Sequence, residues 1–328
     1  MIPLEYRRGV VAEDSSSGGG GDKPLTGRAA IGYDHGYDGE VFYLGLALDP
    51  SYVVGFVEGC LERIGEDDTM TLSPQQENSR YAAVRQYSLA QILAVWAAAA
   101  IPMAALAWIV APLVADRLEG PLALPRALLV LLTLGLIWQF VLVVVLVHRE
   151  RGSLRWAVLK DALWLHSPRS PTTGRVGGRL WLVLVPALLI FTAEGFIPYP
   201  FPPATGHDFA AFVGSEAGAA FMSGNWVWFA IIVALSVFNT VLGEELLFRG
   251  LLLPRMRGAF GRFDWVANGF LFALYHLHMP WVIPATLVGD TFALSYPSRR
   301  YCSALIGIIV HSSQSVLVLV LLLTLVLK

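Results

Sequence analysis

Charge is scarce in this chain. Asp, Glu, Lys and Arg make up 15% of its 328 residues, where a soluble domain usually carries about 25%. The charges that remain nearly cancel, to a net −2. There is no basic excess to neutralise phosphates, so a nucleic-acid partner is not expected. Cysteine is scarce too. Cys60 and Cys302 are the two present, and their wide separation gives neither a disulfide framework nor a thiolate metal spacing. No secretory signal opens the chain, because residues 1–40 are polar. The first hydrophobic helix is therefore expected to direct insertion itself. The zinc-protease pattern HExxH does not occur.

Apolar side chains fill the space that charge leaves. They make up 55% of the chain, the mean hydropathy is +0.59, and they gather in runs of the length, about 20 residues, that a bilayer core requires. The fold class expected is all-α: a polytopic transmembrane helix bundle of about seven spans behind a mostly polar N-terminal extension. The extension takes residues 1–87 and the membrane domain residues 88–328. In the extension, Ser15 to Gly21 is a linker by composition, and a surface helix is expected over 52–61 with Ser51 as its N-cap. The spans fall at about 89–115, 126–147, 179–197, 226–253, 264–279, 281–297 and 301–327.

Lys and Arg set the orientation. Arg149, Arg151, Arg155, Lys160, Arg169, Arg175 and Arg179 follow the second span, which places that connection in the cytoplasm. Residues 198–225 hold no Lys or Arg and are placed outside. Arg255, Arg257 and Arg262, then Arg299 and Arg300, return later turns to the cytoplasm. Only Arg117 and Arg126 run against the alternation. The expectation is a multi-pass integral membrane protein with its N-terminus cytoplasmic, in the plasma membrane if the source is prokaryotic, and with membrane lipid as a partner. Within the basic connection, Leu154, Trp156, Val158, Leu159 and Leu165 alternate with Arg155, Lys160 and Asp161, a mixture suited to a helix lying in the interface.

Ionisable groups inside spans are costly and mark function by default. The fourth span contains Gly243-Glu244-Glu245-Leu246-Leu247-Phe248-Arg249-Gly250. Glu245 and Arg249, at i,i+4, can pair along one face. Glu244 lies about 100° round the helix and lacks that partner. A carboxyl held away from water in this way can act as a general base or acid near neutrality; the alternative is a structural carboxylate pair held near the interface by Arg249. His276 stands in the next span and His311 in the last. At the helical rise, Glu244 is roughly 15 Å from the turn at Pro254, His276 roughly 16 Å beyond Trp265, and His311 roughly 15 Å beyond Tyr301. All three turns are on the same side, so the three side chains are expected at one level. His278 reads as helix-end packing and Asp290 as a bundle-facing or interfacial residue.

These residues resemble the CPBP family of intramembrane proteases, which includes the type II CAAX endopeptidases and Abi-like, bacteriocin-processing proteins. Its motifs EExxxR, FxxxH and HxxxN lie on separate membrane helices. The chain offers Glu244-Glu245…Arg249, then Phe272…His276, then His311…Ser315, with Asn268-Gly269 before Phe272 and the similarity running over 88–328. The family's closing Asn is Ser315 here. The resemblance implies peptide-bond hydrolysis of a membrane-associated, prenylated or peptide substrate. Glu244, oriented by His276, would activate water. His311, with Ser315 or Gln314, would stabilise the oxyanion, and Glu245 with Arg249 would support the helix.

No cofactor is certain. Glu244, His276 and His311 would be an acceptable zinc set, although the missing HExxH favours a metal-free glutamate. A second reading, a catalytically silent immunity-type binding module or transporter-like protein, draws on Ser315 and on the use of membrane Glu and His in proton relays.

Overall fold

The structure is a computed structural model describing residues 84–120 and 122–328. Cys60, the Ser/Gly run and the helix expected over 52–61 lie outside those residues. The regular structure is helical, and among the described residues strand-like pairing is confined to one bridge, Arg169 with Val176. The fold class is the all-α bundle expected.

Helix α1 (Leu89–Ala115) starts at a capping box: the Ser88 hydroxyl accepts from the Gln91 N–H, and the Gln91 side chain accepts from the Ser88 N–H, each satisfying an otherwise orphaned donor. Pro102 lies inside this helix and has no N–H to give Ala98 O. The indole of Trp138, on α2 (Ala123–Arg151), supplies it at 2.8 Å. Helix α2 closes on Gly152 at φ 65°, a left-handed cap that glycine adopts without strain. Helix α3 (Trp156–Ala162) is the short basic segment expected in the interface, with Trp156 exposed. Helix α4 (Leu184–Glu194) follows a 3-10 turn, and α5 (Phe209–Gly214) and α6 (Glu216–Met222) are short. Helix α7 (Trp226–Arg255) carries the acids. Helix α8 (Asp264–Tyr275) ends in a 3-10 turn over His276–His278, α9 runs over 283–300, and α10 is Ala304–Val326.

Helices α1, α2, α7 and α10 are long and apolar enough to cross a membrane, and they coincide with four of the seven segments expected. The other three are shorter or interrupted. Helix α4 has 11 residues, about half of a span. The segment expected at 264–279 closes at His276. That expected at 281–297 contains a π-helical turn at Thr291–Ser295 and the buried acid Asp290. A hydropathy window reads their composition and does not register where the helix breaks. The long helices turn Ile101, Leu134, Val316 and Val320 outward, as an integral membrane protein requires.

Helix α10 packs on α7 and α4, α8 on α9, and α2 on the middle of α7. Helices α8 and α9 approach closely at Gly269, where a Cβ would lie 2.9 Å from the Thr291 Cα. The end of α7 is fastened by Arg255, which is fully buried. Its guanidinium meets Glu150 (Nη2 to Oε2 2.6 Å) and donates to Ala162 O at 3.0 Å and Leu251 O at 2.8 Å. Residues just before α1 dock on the same end: Tyr87 N–H donates to Arg255 O at 2.9 Å, and Gln86 accepts from Gly258 N–H at 2.9 Å.

Removing one member of a buried pair leaves the other uncompensated, at about 3–5 kcal/mol. Arg255→Ala is therefore expected to lower the thermal midpoint in detergent sharply. Replacing Glu150 and Arg255 together by Leu and Met should recover much of that loss. Equal midpoints for the Arg255→Ala protein and the unmodified protein would contradict this role.

Candidate active site

Glu244 and Glu245 lie between two π-helical stretches of α7, Phe238–Gly243 and Leu246–Leu252. Wide turns of this kind occur often at functional sites. The two acids, adjacent in sequence, have different surroundings. Glu245 Oε1 accepts from Arg249 Nη1 at 2.8 Å and is 3.0 Å from His311 Nδ1. With its Nδ1–H donated to a carboxylate, His311 has Nε2 left for other contacts, the tautomer-fixing arrangement of catalytic histidines. Helix α10 comes close enough because residue 307 is glycine: a Cβ there would stand 2.4 Å from Glu245 Oε2.

Glu244 is 2% exposed and has no cation of its own. The Tyr275 hydroxyl is its polar neighbour and accepts from Gln139 Nε2 at 2.7 Å. Glu244 Oε2 has no partner among the described residues.

His276 is held by its own helix, Nδ1 donating to Phe272 O at 2.9 Å, which again leaves Nε2 free. Phe272, the first residue of the FxxxH motif, has a second task. Its ring lies 4.0 Å below the Arg249 guanidinium, a cation–π contact that stabilises a buried cation where water does not reach. Arg249 also donates to Ser295 Oγ at 3.4 Å, Ser295 donates to Asn268 Oδ1 at 3.0 Å, and Asn268 Nδ2 donates to Phe248 O at 2.9 Å. Asn268 is therefore a brace between α7, α8 and α9.

Glu244, His276, His311 and Gln314 line one cavity of about 390 Å³. Ser315 does not. It faces a neighbouring, mainly apolar cavity of about 290 Å³, lined also by His278, Leu132, Leu136 and Phe212. Asn239, Met279 and Gln314 border both. Among the other polar residues that line the first cavity are Asn239, Glu194, Thr286 and Asp290, none of which was assigned a role in the chemistry from sequence. Glu194 accepts a long hydrogen bond of 3.4 Å from Thr286. Its signal was available, since an acid in an expected span is itself a marker. Asn239 and Tyr275 gave none, being ordinary residues in apolar helices.

Glu244, His276 and His311 share the cavity but do not converge as ligands. Among the described residues, no group of three or more His, Cys, Asp or Glu is placed to hold a metal ion.

The two acids are expected to separate on mutation. Glu245→Gln strips Arg249 and His311 of their shared carboxylate and should cost about 3–5 kcal/mol of stability, the usual loss on breaking a buried pair. Glu244→Gln removes no ion pair and should unfold within a few degrees of the unmodified protein. Thermal unfolding of both in detergent checks this, and a larger loss for Glu244→Gln would contradict the assignment.

Residues 225–317 match the family model of the type II CAAX prenyl endopeptidases, Rce1-like. The match takes in α7, α8, α9 and the part of α10 that carries His311, a narrower region than the 88–328 expected. No curated protein and no solved structure matches the chain. The acid pair, the histidines and this match coincide on the same helices, and it is over residues 225–317 that the chain is similar to the type II CAAX prenyl endopeptidases.

Proposed function

We propose that the chain is an intramembrane endopeptidase that hydrolyses a peptide bond of a membrane-associated protein or peptide with water activated by Glu244. The observation that carries this reading is the unlike pairing of adjacent acids. Glu245 is committed to Arg249 and His311, whereas Glu244 faces the cavity with a free oxygen. A base must be uncommitted to take a proton, and an orienting carboxylate must not be.

In the mechanism, Glu244 takes a proton from water as the water oxygen bonds to the scissile carbonyl carbon. The π electrons of the carbonyl move onto its oxygen. His311, as the imidazolium paired through Nδ1 with Glu245, donates its Nε2–H to that oxygen, and His276 borders the same space. When the oxyanion's electron pair returns, the C–N bond breaks, and the leaving nitrogen takes the proton from Glu244. The chain's own groups account for each proton, and no step needs a metal. The membrane-embedded site suits a substrate delivered within the bilayer, and a C-terminal prenylated peptide is the class that the family description suggests. Orientation follows the Lys and Arg distribution, with the N-terminal side in the cytoplasm.

The silent-module reading drew on Ser315. Because that residue faces the neighbouring cavity, its replacement of Asn takes no donor out of the cavity that holds Glu244.

Glu244→Gln in cells should cause one membrane protein to accumulate as an uncleaved precursor, seen by comparing membrane proteomes. Purified full-length protein should contain well below one equivalent of zinc and keep its activity in chelator. Undiminished processing by Glu244→Gln would remove the glutamate mechanism. Loss of activity on chelation, with recovery on adding zinc, would replace it by a metal-bound water.

A further inference from the structure

Hydrolysis at this site needs hydrogen-bond donors aimed at the oxygen on which charge develops, and His311 is one. Ser315, at the position where the family places an amide, borders the adjoining cavity. An unused amide is nevertheless present. Asn239 lines the cavity of Glu244, His276 and His311, is half-buried, and its side chain has no protein partner among the described residues. The donating amide nitrogens buried nearby are engaged: Gln139 Nε2 with Tyr275, and Asn268 Nδ2 with Phe248 O. An amide that faces this cavity without a protein partner is free to bond a group that arrives with the substrate.

Backbone geometry puts Asn239 there. In an unbroken α-helix, residues five apart lie about 140° away from each other around the axis, which would turn Asn239 from the face of Glu244. The stretch Phe238–Gly243 is π-helical, and the Glu244 N–H donates to Asn239 O. That i→i+5 bond stacks the two residues one wide turn apart, and both reach the same cavity. Gly243 permits the distortion, since a Cβ there would stand 2.5 Å from Phe238 O.

We propose that Asn239 is a catalytic residue, its Nδ2–H donating with His311 to the oxyanion of the tetrahedral intermediate in place of the family's amide on the last helix. This rests on the peptidase reading above. The amide holds the carbonyl oxygen weakly in the bound substrate and more strongly once that oxygen is charged, so it acts on kcat more than on KM.

The test uses the full-length protein in detergent with fluorescence-quenched peptides, farnesylated and unmodified, and measures kcat, KM and the thermal midpoint together. Asn239→Leu should lower kcat by about 10²–10³-fold, the usual loss of one oxyanion donor, with KM changed by a few-fold at most. Its thermal midpoint should stay level or rise, because an unpartnered amide contributes nothing to the fold. Asn239→Asp, nearly the same shape, should be at least as inactive, because it sets a carboxylate against the developing charge.

Three outcomes would overturn the proposal while the peptidase reading stands. Asn239→Leu could retain kcat. It could instead lose its midpoint as a structural asparagine would. Ser315→Ala or Gln314→Ala could cost more kcat than Asn239→Leu, placing the donor there. If no peptide is cleaved by the unmodified protein, and no precursor accumulates in Glu244→Gln cells, the peptidase reading itself fails and takes this proposal with it.

Discussion

A guanidinium buried in the middle of a membrane bundle governs the rest of the site. Arg249 is fully enclosed, and a bare cation there would be prohibitive. Each helix around it supplies part of the compensation. Helix α7 gives Glu245, α8 gives the Phe272 face, α9 gives the Ser295 hydroxyl, and α10 brings His311 to the same carboxylate. The cation thus fixes the spacing of four helices, and His311 and His276 arrive where they do because of it.

The same constraint divides the labour between the two acids. Successive residues on a helix point about 100° apart, so a cation can claim one of an adjacent pair and leave the other. Glu245 carries structural charge. Glu244 is left with a neutral phenol as its neighbour and with one oxygen uncommitted. Two adjacent carboxylates facing the same way would repel each other and serve neither purpose. Wide π-helical turns on both sides of the pair allow the residues before Glu244 to face the cavity as well.

What the sequence made legible was what depends on one helix at a time. The Glu245–Arg249 pair is an i,i+4 contact. The Phe272–His276 spacing is the distance over which a ring nitrogen reaches back to a carbonyl in its own helix. The common level of Glu244, His276 and His311 follows from helical rise. The residues that escaped were those whose role depends on another helix or on a change of period. Gln139 finds Tyr275 across 136 residues, and no pattern within either helix marks it. Asn239 comes into line with Glu244 only because the turn between them is not α-helical. Ser315 was the converse case: an i,i+4 relation to His311 suggested a shared face, yet the two border different cavities. Of the seven expected spans, four are unbroken helices long and apolar enough to cross a membrane. Helices α4, α8 and α9 are shorter or interrupted, and composition alone does not mark where a helix breaks.

Water is the remaining requirement, since hydrolysis consumes one molecule for each bond broken. An apolar cavity of this size would stay dry, whereas a polar one with several partners holds water. At about 390 Å³ the space around Glu244 is many times what a single water needs, and Glu194, Thr286, Asp290, Asn239 and Gln314 join the histidines in its walls. Asp290 is 4% exposed with Oδ1 unpartnered, and Glu194 Oε2 is unpartnered as well. Polar walls of this kind offer a water molecule the several partners it needs. In the proposed mechanism the polar lining and Glu244 answer one need: the first would keep the reactant in the membrane, and the second would take its proton.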